Sequence, residues 1–297
     1  MSDAPAFRCG TVAIAGRPNV GKSSLLNKLV GQKLSIVSPK AQTSRHLVTG
    51  ILTSEEAQCI FVDLPGYQTR HVNALNKALN RRATEAAKDC DVTLFVVEAG
   101  RLGEEDRQVL ARIPEEQVVV AVINKADHVP RAADLLPFLD RLQKERSFAA
   151  LVPVSARTGK NLPALLRVVR GLLPEGPAAY PPETLTDRDE RFFAAELLRE
   201  KIFRLLGEEL PYRCEVTIES FKEEGRLRRI EAVVWVERES QKPILVGKGG
   251  ETLKKISTAA RKDMESLFGG KVYLGVWVKV KKDWSGDARL LRQLGYS

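Results

Sequence analysis

Two domains in tandem are expected from this sequence: a doubly wound α/β domain with a mostly parallel sheet, then a smaller α+β domain. Three observations carry the expectation. Short apolar strands alternate with helical patterns as far as Leu173. A glycine-rich stretch joins the first strand to the first helix, and the motifs that follow fall where strands end, the place where such sheets collect ligands. Beyond a proline-rich stretch the order changes to helix, two strands, two helical segments and a last strand.

The 297 residues suffice for two separate cores. Runs such as VTLFVV and VVVAVI are strand-length, far short of a membrane span. The opening MSDAPAFRCG has no basic region followed by an apolar core, so no secretory signal is expected. Cys9, Cys59, Cys90 and Cys214 are scattered and the chain has 3 His, which argues against a zinc site or disulfide framework and fits a reducing cytoplasm. The formal charge of +9 permits a polyanionic partner but is weak evidence by itself.

The first strand, Thr11 to Ala15, runs into Gly16-Arg17-Pro18-Asn19-Val20-Gly21-Lys22-Ser23, and a helix begins with Ser24 and the leucines after it. G-x-x-x-x-G-K-S between strand and helix is the pattern that wraps a polyphosphate. Gly16 and Gly21 reach backbone angles closed to other residues and keep side chains out of the way. The amides form an anion nest at the positive helix end. Lys22 brings a point charge to the outer phosphates, and Ser23 offers a hydroxyl to Mg²⁺. An ordinary glycine turn explains eight matching positions in this context far less well.

A polar loop follows and feeds an edge strand near His46 to Leu52; after a turn at Ser54-Glu55-Glu56, Gln58 to Val62 pairs back. That strand ends in Asp63-Leu64-Pro65-Gly66. The Asp63 carboxylate is placed to reach Mg²⁺ through water and the Gly66 amide to bond a terminal phosphate; a plain strand-ending turn is the bland alternative. A helix over Val72 to Asp89 and strands Val92 to Val97 and Val118 to Ile123 come next. Asn124-Lys125-Ala126-Asp127 closes the last of these. A carboxylate there accepts from both N1–H and the N2 amino group of guanine, whereas adenine offers neither donor, so the tetrad selects GTP over ATP. After a helix over Leu135 to Arg146 and the strand Leu151 to Val154, Ser155-Ala156-Arg157 can offer an amide to guanine O6, or Ser155 merely caps a helix.

The last helix of this domain spans Leu162 to Leu173, and Pro174 to Glu183 cannot continue it. The expected division is residues 1–174 for the first domain, 175–189 for a linker, flexible or packed, and 190–297 for the second domain. The second domain opens with an amphipathic helix, ERFFAAELLREKIFRLLGEE, and continues with strands YRCEVTIESF and LRRIEAVVWVE joined at Glu223-Glu224-Gly225. Gly247-Lys248-Gly249-Gly250 then sits between two helical segments before the strand KVYLGVWVKVKKDW. A side-chain-poor loop at helix N-termini lets a sugar–phosphate backbone approach, with Lys248 neutralising charge and bases lying over Ile244, Val246 and Ile256. From Lys242 to the end, 12 Lys or Arg face 5 Asp or Glu, so the basic excess lies in this tail. Lys254 and Lys255 are read as RNA contacts; Arg261 and Lys262 as a solvated face; Lys279, Lys281 and Lys282 as edge protection.

GRPNVGKS, DLPG, NKAD and VSA in this order resemble the translation-factor class of P-loop GTPases, and the second domain resembles a type II KH module. Within that class KAQTSRH is similar to the switch of the Era family, bacterial ribosome-assembly GTPases, with Ser44 in place of the family's second threonine; the ending DWS…LRQLGY also resembles theirs. The resemblance implies GTP or GDP held by residues 16–24, 63–67, 124–127 and 155–157, with Mg²⁺ on Ser23, Asp63 and either Thr43 or Ser44. It implies catalysis resting on Lys22, Gly66 and Asn19, where the asparagine holds K⁺ beside the phosphates. Tyr67 stands where Ras-like enzymes carry the water-orienting glutamine, so slow intrinsic hydrolysis is expected. The implied partners are 16S ribosomal RNA near its 3′ end and the 30S subunit, for a cytoplasmic monomer with peripheral inner-membrane association. Two other classes compete: an RNA-binding assembly factor with a structural nucleotide, and a P-loop enzyme acting on a small molecule or tRNA. The second domain's lack of clustered Cys, His or carboxylates argues against the enzyme.

Overall fold

A computed structural model describes residues 6–38, 40, 43, 45–67, 74–207, 209–282, 284–287, 289 and 291. The strands of the first unit are β1 (Arg8–Ala15), β2 (Val48–Thr53), β3 (Ala57–Asp63), β4 (Val92–Glu98), β5 (Val118–Asn124) and β6 (Ala150–Pro153). Its helices are α1 (Lys22–Val30), α2 (Ala74–Lys88), α3 (Glu104–Leu110), α4 (Leu136–Gln143) and α5 (Leu162–Leu172). The strands form one sheet in the order β2-β3-β1-β4-β5-β6. Only β2 runs antiparallel to its neighbour; the other pairings are parallel. β4 and β5 are buried at nearly every position, as strands covered on both faces must be. The topological switch lies at β1, whose neighbours β3 and β4 take the chain to opposite sides, so the loop leaving Ala15 opens into the crevice.

The proline-rich stretch is a packed connector. The Gln58 side chain accepts from the Ala179 and Tyr180 amides (2.8 and 2.9 Å) and donates to the Tyr180 carbonyl (2.8 Å). The Ile51 amide donates to the Leu185 carbonyl (2.8 Å), and Thr49 Oγ1 to Asp187 Oδ2 (3.1 Å). Residues through Asp187 accordingly cluster with the first unit.

The second unit comprises α6 (Glu190–Leu205), β7 (Cys214–Glu224), β8 (Leu227–Val236), α7 (Gln241–Val246), α8 (Glu251–Phe268) and β9 (Lys271–Val280). β7 and β8 form a hairpin whose turn needs Gly225 at φ 63°, and β9 returns parallel to β8 after the helical crossover. Ile256, Ala260, Met264 and Phe268 recur at helical spacing on α8 and supply its core face.

α6 departs from the amphipathic expectation. Asp189 caps it, accepting from the Phe192 amide, but the helix ends at Leu205. Glu196, Arg199, Glu200 and Lys201 are all buried on it. They are tolerated because they pair: Arg199 Nη2 lies 2.6 Å from Glu196 Oε2, and Lys201 Nζ 3.2 Å from Glu200 Oε2 and 2.5 Å from Asp263 Oδ2. The remaining valences hold residues 36–43, which cluster with this unit. Glu200 Oε1 accepts from the Val37 amide (3.0 Å), Arg204 donates to the Val37 carbonyl (2.9 and 2.8 Å), and Arg199 Nη1 to the Thr43 carbonyl (2.5 Å).

Candidate functional site

Gly16 to Ser23 forms a loop whose glycines are fixed by contact as well as by angle. Gly16 has φ 158°, and a Cβ there would stand 2.5 Å from the Val96 carbonyl oxygen. Gly21 has φ 99°, and its Cβ would stand 2.3 Å from Asn124 Nδ2. That amide is no bystander: Asn124 is buried, donates to the Val20 carbonyl (2.8 Å) and accepts from the Ala156 amide (2.9 Å). One side chain thus ties the phosphate loop, the Asn124–Asp127 loop and the Ser155–Arg157 loop together.

Lys22 is buried and turned onto its own loop, Nζ donating to the Gly16 and Arg17 carbonyls at 2.9 and 3.0 Å. Burial lowers its pKa to about 8, against the opposing pull of the Asp63 carboxylate. Asp63 is fully buried at the end of β3, and desolvation raises its pKa although Lys22, Ser23 and Ser35 work the other way. Ser23 Oγ and Ser35 Oγ both donate to Oδ2, at 2.6 and 2.7 Å. Oδ1 has no hydrogen-bond partner among the described residues. An unpaired buried carboxylate oxygen beside a serine hydroxyl fits a hard divalent cation. No group of three or more His, Cys, Asp or Glu gathers among the described residues, so Mg²⁺ here would draw its other ligands from phosphate and water. Gly66 faces this centre: a Cβ on it would lie 3.2 Å from Lys22 Nζ and 3.1 Å from Pro18 Cγ.

At the base-reading end, the Asp127 carboxylate is held below the usual range, first by the Ser155 hydroxyl and then, against a little burial, by Arg157. Arg157 Nη2 lies 2.5 Å from Asp127 Oδ2. Lys125 adopts a left-handed backbone (φ 61°) and pairs through Nζ with Glu98 Oε2 at 3.2 Å. Glu98 also takes Arg17 Nη2 at 3.1 Å, and Arg17 Nε lies 3.0 Å from the buried Asp106. Burial works to raise the Glu98 pKa, but Lys125 and Arg17 outweigh it and hold the carboxyl low.

Most expected residues converge here; three do not. Tyr67 is buried in the hydrophobic core that includes Leu64 and Phe95, with its hydroxyl 3.3 Å from Thr84 Oγ1 and Arg112 over its ring at 5.4 Å. Its side chain is a core residue because a phenol at a strand end buries more apolar area inward than a loop can offer. Thr43 Oγ1 donates to the Lys40 carbonyl and meets Ser38 Oγ, each at 2.8 Å, so its hydroxyl is engaged within its own stretch and is not gathered with Ser23 and Asp63. Ser44 lies outside the described residues. Ser35, Glu98 and Asp106 are additions that the sequence motifs do not contain: each is a common residue type whose role depends on which strand end it abuts.

In the second unit Gly247 has φ 77°, and a Cβ there would fall 2.2 Å from Thr252 Oγ1, while Gly249 (φ 60°) and Gly250 (φ 82°) face open space. Lys248, Lys254 and Lys255 are exposed, Val246 is half-buried and Ile244 is 59% exposed. Ile256 is fully buried in the core of α8, so it supports the groove from below and cannot line it.

Fold and loops together define a P-loop GTPase joined to a KH domain. Residues 11–125 match the family described as 50S ribosome-binding GTPase, and residues 209–285 match the KH domain. GTPase Era of Nitrosomonas eutropha is 53% identical over 293 residues, covering 99% of each chain. GTPase Era of Neisseria meningitidis serogroup A is 54% identical over 295 residues, covering 98% of this chain and 96% of the relative. Among solved structures, a tyrosine-to-alanine variant of Aquifex aeolicus Era bound to GDP·AlF4⁻ is 38% identical, with a TM-score of 0.94 over 98% of this chain and 100% of that one. Era in complex with MgGDPNP and nucleotides 1506–1542 of 16S ribosomal RNA is 38% identical, with a TM-score of 0.93 over 98% and 99%. The chain belongs to the GTPase Era family.

Proposed function

We propose that this GTPase binds the 3′-terminal region of 16S ribosomal RNA through its KH unit and acts in assembly of the 30S subunit, with GTP hydrolysis resetting it. One observation carries the reading: the chain shares its architecture, at a TM-score of 0.93, with an Era crystallised on MgGDPNP and that RNA region, and presents an exposed GKGG loop of its own. In the nucleotide site, Lys22 moves from the Gly16 and Arg17 carbonyls onto the β- and γ-phosphates, and the loop amides wrap the phosphates. Ser23 and Asp63 hold Mg²⁺, which supplies charge neutralisation at the phosphates. The Gly66 amide donates to the γ-phosphate. Asp127 takes the two guanine donors that Arg157 covers in the free protein, and Ala156 offers its amide to O6.

Because the Tyr67 side chain is buried in the core, no amide there orients an attacking water. Basal turnover is therefore slow and is raised by the RNA or the subunit. K⁺ beside Asn19, a residue in left-handed backbone at φ 64°, contributes to turnover; equal rates in Na⁺ and K⁺ would remove it. No helix among the described residues is long and apolar enough to cross a membrane, so any membrane association is peripheral, through basic residues. The deciding measurement is RNA affinity with GDP and then with a GTP analogue, for the wild type and Gly249→Asp. Tighter binding in the GTP state, lost in the variant with GDP affinity intact, is expected. Nucleotide-independent RNA binding, or joint loss of both affinities, would refute the division of labour.

A further inference from the structure

The face of the second unit's sheet that carries the exposed aromatics has a composition that folding alone does not call for. Alternation along β9 puts Val272 and Val278 inward, both buried, and Tyr273, Gly275, Trp277 and Lys279 outward. Tyr273 and Trp277 are 47% and 48% exposed. Gly275 lies between them, and a Cβ there would meet the far edge of the Trp277 indole at 2.9 and 3.0 Å and Tyr273 Cε1 at 3.7 Å. The missing side chain lets the indole lean along the strand toward the phenol, so two rings converge over one glycine.

Cations frame these rings. Arg229, opposite Tyr273 on β8, stands 4.6 Å from the phenol centroid, and it also pairs with Glu224. Farther along, Lys279 and Lys281 place their ammonium groups 5.6 and 5.4 Å from the Trp235 ring, whose Nε1 donates to Thr217 Oγ1 at 2.9 Å. An edge strand needs charge to prevent self-pairing, and the lysines supply it. It does not need two half-exposed aromatic rings as well. Rings offering π faces, bordered by flexible cations, are the means by which proteins hold unpaired nucleotides without reading their sequence. The strand is also continuous with the GKGG site, since α7, which leads into that loop, packs against β9.

We propose that Tyr273 and Trp277 form a stacking platform for unpaired nucleotides flanking those held at the GKGG loop, with Lys279 and Lys281 on the adjoining phosphates. The inference rests on the RNA-binding reading above and extends the RNA footprint beyond the loop. Fluorescence anisotropy separates the two, using 16S ribosomal RNA nucleotides 1506–1542 and tetranucleotides tiled across that stretch. For the full chain, Trp277→Ala and Tyr273→Ala should each weaken the long fragment roughly tenfold, with the best-binding tetranucleotide unchanged. Trp277→Phe, which keeps a π face, should recover most of the loss. Lys279→Ala should flatten the salt dependence of the long fragment only. Gly249→Asp should abolish binding of both probes; if it leaves them intact, the RNA reading itself is wrong. If Gly249→Asp behaves as expected but the aromatic variants bind the long fragment like wild type, or weaken both probes equally, the platform is overturned. Should Trp277→Ala fail to fold, Tyr273→Ala and Lys279→Ala decide by the same criteria. A protein captured by this face with no change in RNA affinity would also overturn it.

Discussion

The two glycine loops of this chain face the same chemical problem, a phosphate backbone, and solve it in opposite ways. The loop of Gly16 to Ser23 is enclosed: its glycines abut the Val96 carbonyl and the Asn124 amide, its lysine is buried, and its floor carries a carboxylate with an unpaired oxygen. The loop of Gly247 to Gly250 is open: only Gly247 is crowded, by Thr252, and the Lys248 side chain is exposed. An enclosed cradle suits a compact ligand whose binding has to be reported elsewhere, because every neighbour registers the change. An open loop suits a long polymer that must be threaded and released, and its affinity is then set by contacts spread along a surface.

Substituting glycine in each loop tests that contrast, and the enclosed loop should suffer most. In Gly21→Ala the new methyl meets Asn124 Nδ2 at 2.3 Å with the backbone at φ 99°. The amide cannot step aside without releasing the Val20 carbonyl and the Ala156 amide, both buried partners. Two lost hydrogen bonds at about 1 kcal/mol each and left-handed strain of about 1–2 kcal/mol lead to more than a hundredfold loss of GDP affinity. Calorimetric titration checks it; near wild-type affinity would mean that Asn124 does not brace the loop.

Much of this could be read before any coordinates. Strand–helix alternation and the motif order mark the first sheet, and the GKGG loop with its element order marks the second unit, because periodicity and glycine placement are local signals. What was not legible depends on burial between distant parts of the chain. The charges at 196, 199, 200 and 201 read as a solvated helix face; they are buried because each finds a partner, two of them on residues 36–43 far back in sequence. The Tyr67 side chain reads as a site residue by position, and only three-dimensional packing sends its ring into the core. Glu98 and Asp106 belong to no motif, yet together they fix the phosphate-loop arginine, and Glu98 also takes the lysine of the base-reading loop.

A smaller effect is expected from pH. In the free protein burial lowers the Lys22 pKa to about 8. Phosphates beside the ammonium favour its charged form, so above pH 8 nucleotide binding must take up a proton. GDP affinity should be flat from about pH 7 to about pH 8 and then fall by up to about tenfold per pH unit. For the free protein the same shift acts the other way. The unfolded lysine keeps its proton to higher pH, so the burial penalty is relieved and stability rises as the pH climbs past about 8. Lys22→Arg removes the titrating group and should flatten the affinity curve; a flat wild-type curve would place Lys22 in a wetter setting than the enclosed loop implies.

The smallest effect belongs to the open loop. In Gly249→Ala the new methyl meets nothing within 4 Å, and the only cost is a left-handed backbone at φ 60°. That strain is about 1–2 kcal/mol, so RNA affinity should drop by roughly five- to thirtyfold while GDP affinity and melting temperature stay near wild type. Gly247→Ala in the same loop adds a contact of 2.2 Å with Thr252 Oγ1 and should lose more. The pair separates backbone angle from crowding within one loop. If both alanines cost the same, crowding is irrelevant there and the loop tolerates bulk at either end. If Gly249→Ala is as damaging to RNA binding as Gly21→Ala is to GDP binding, the second loop is as closed a cradle as the first, and the contrast between them fails.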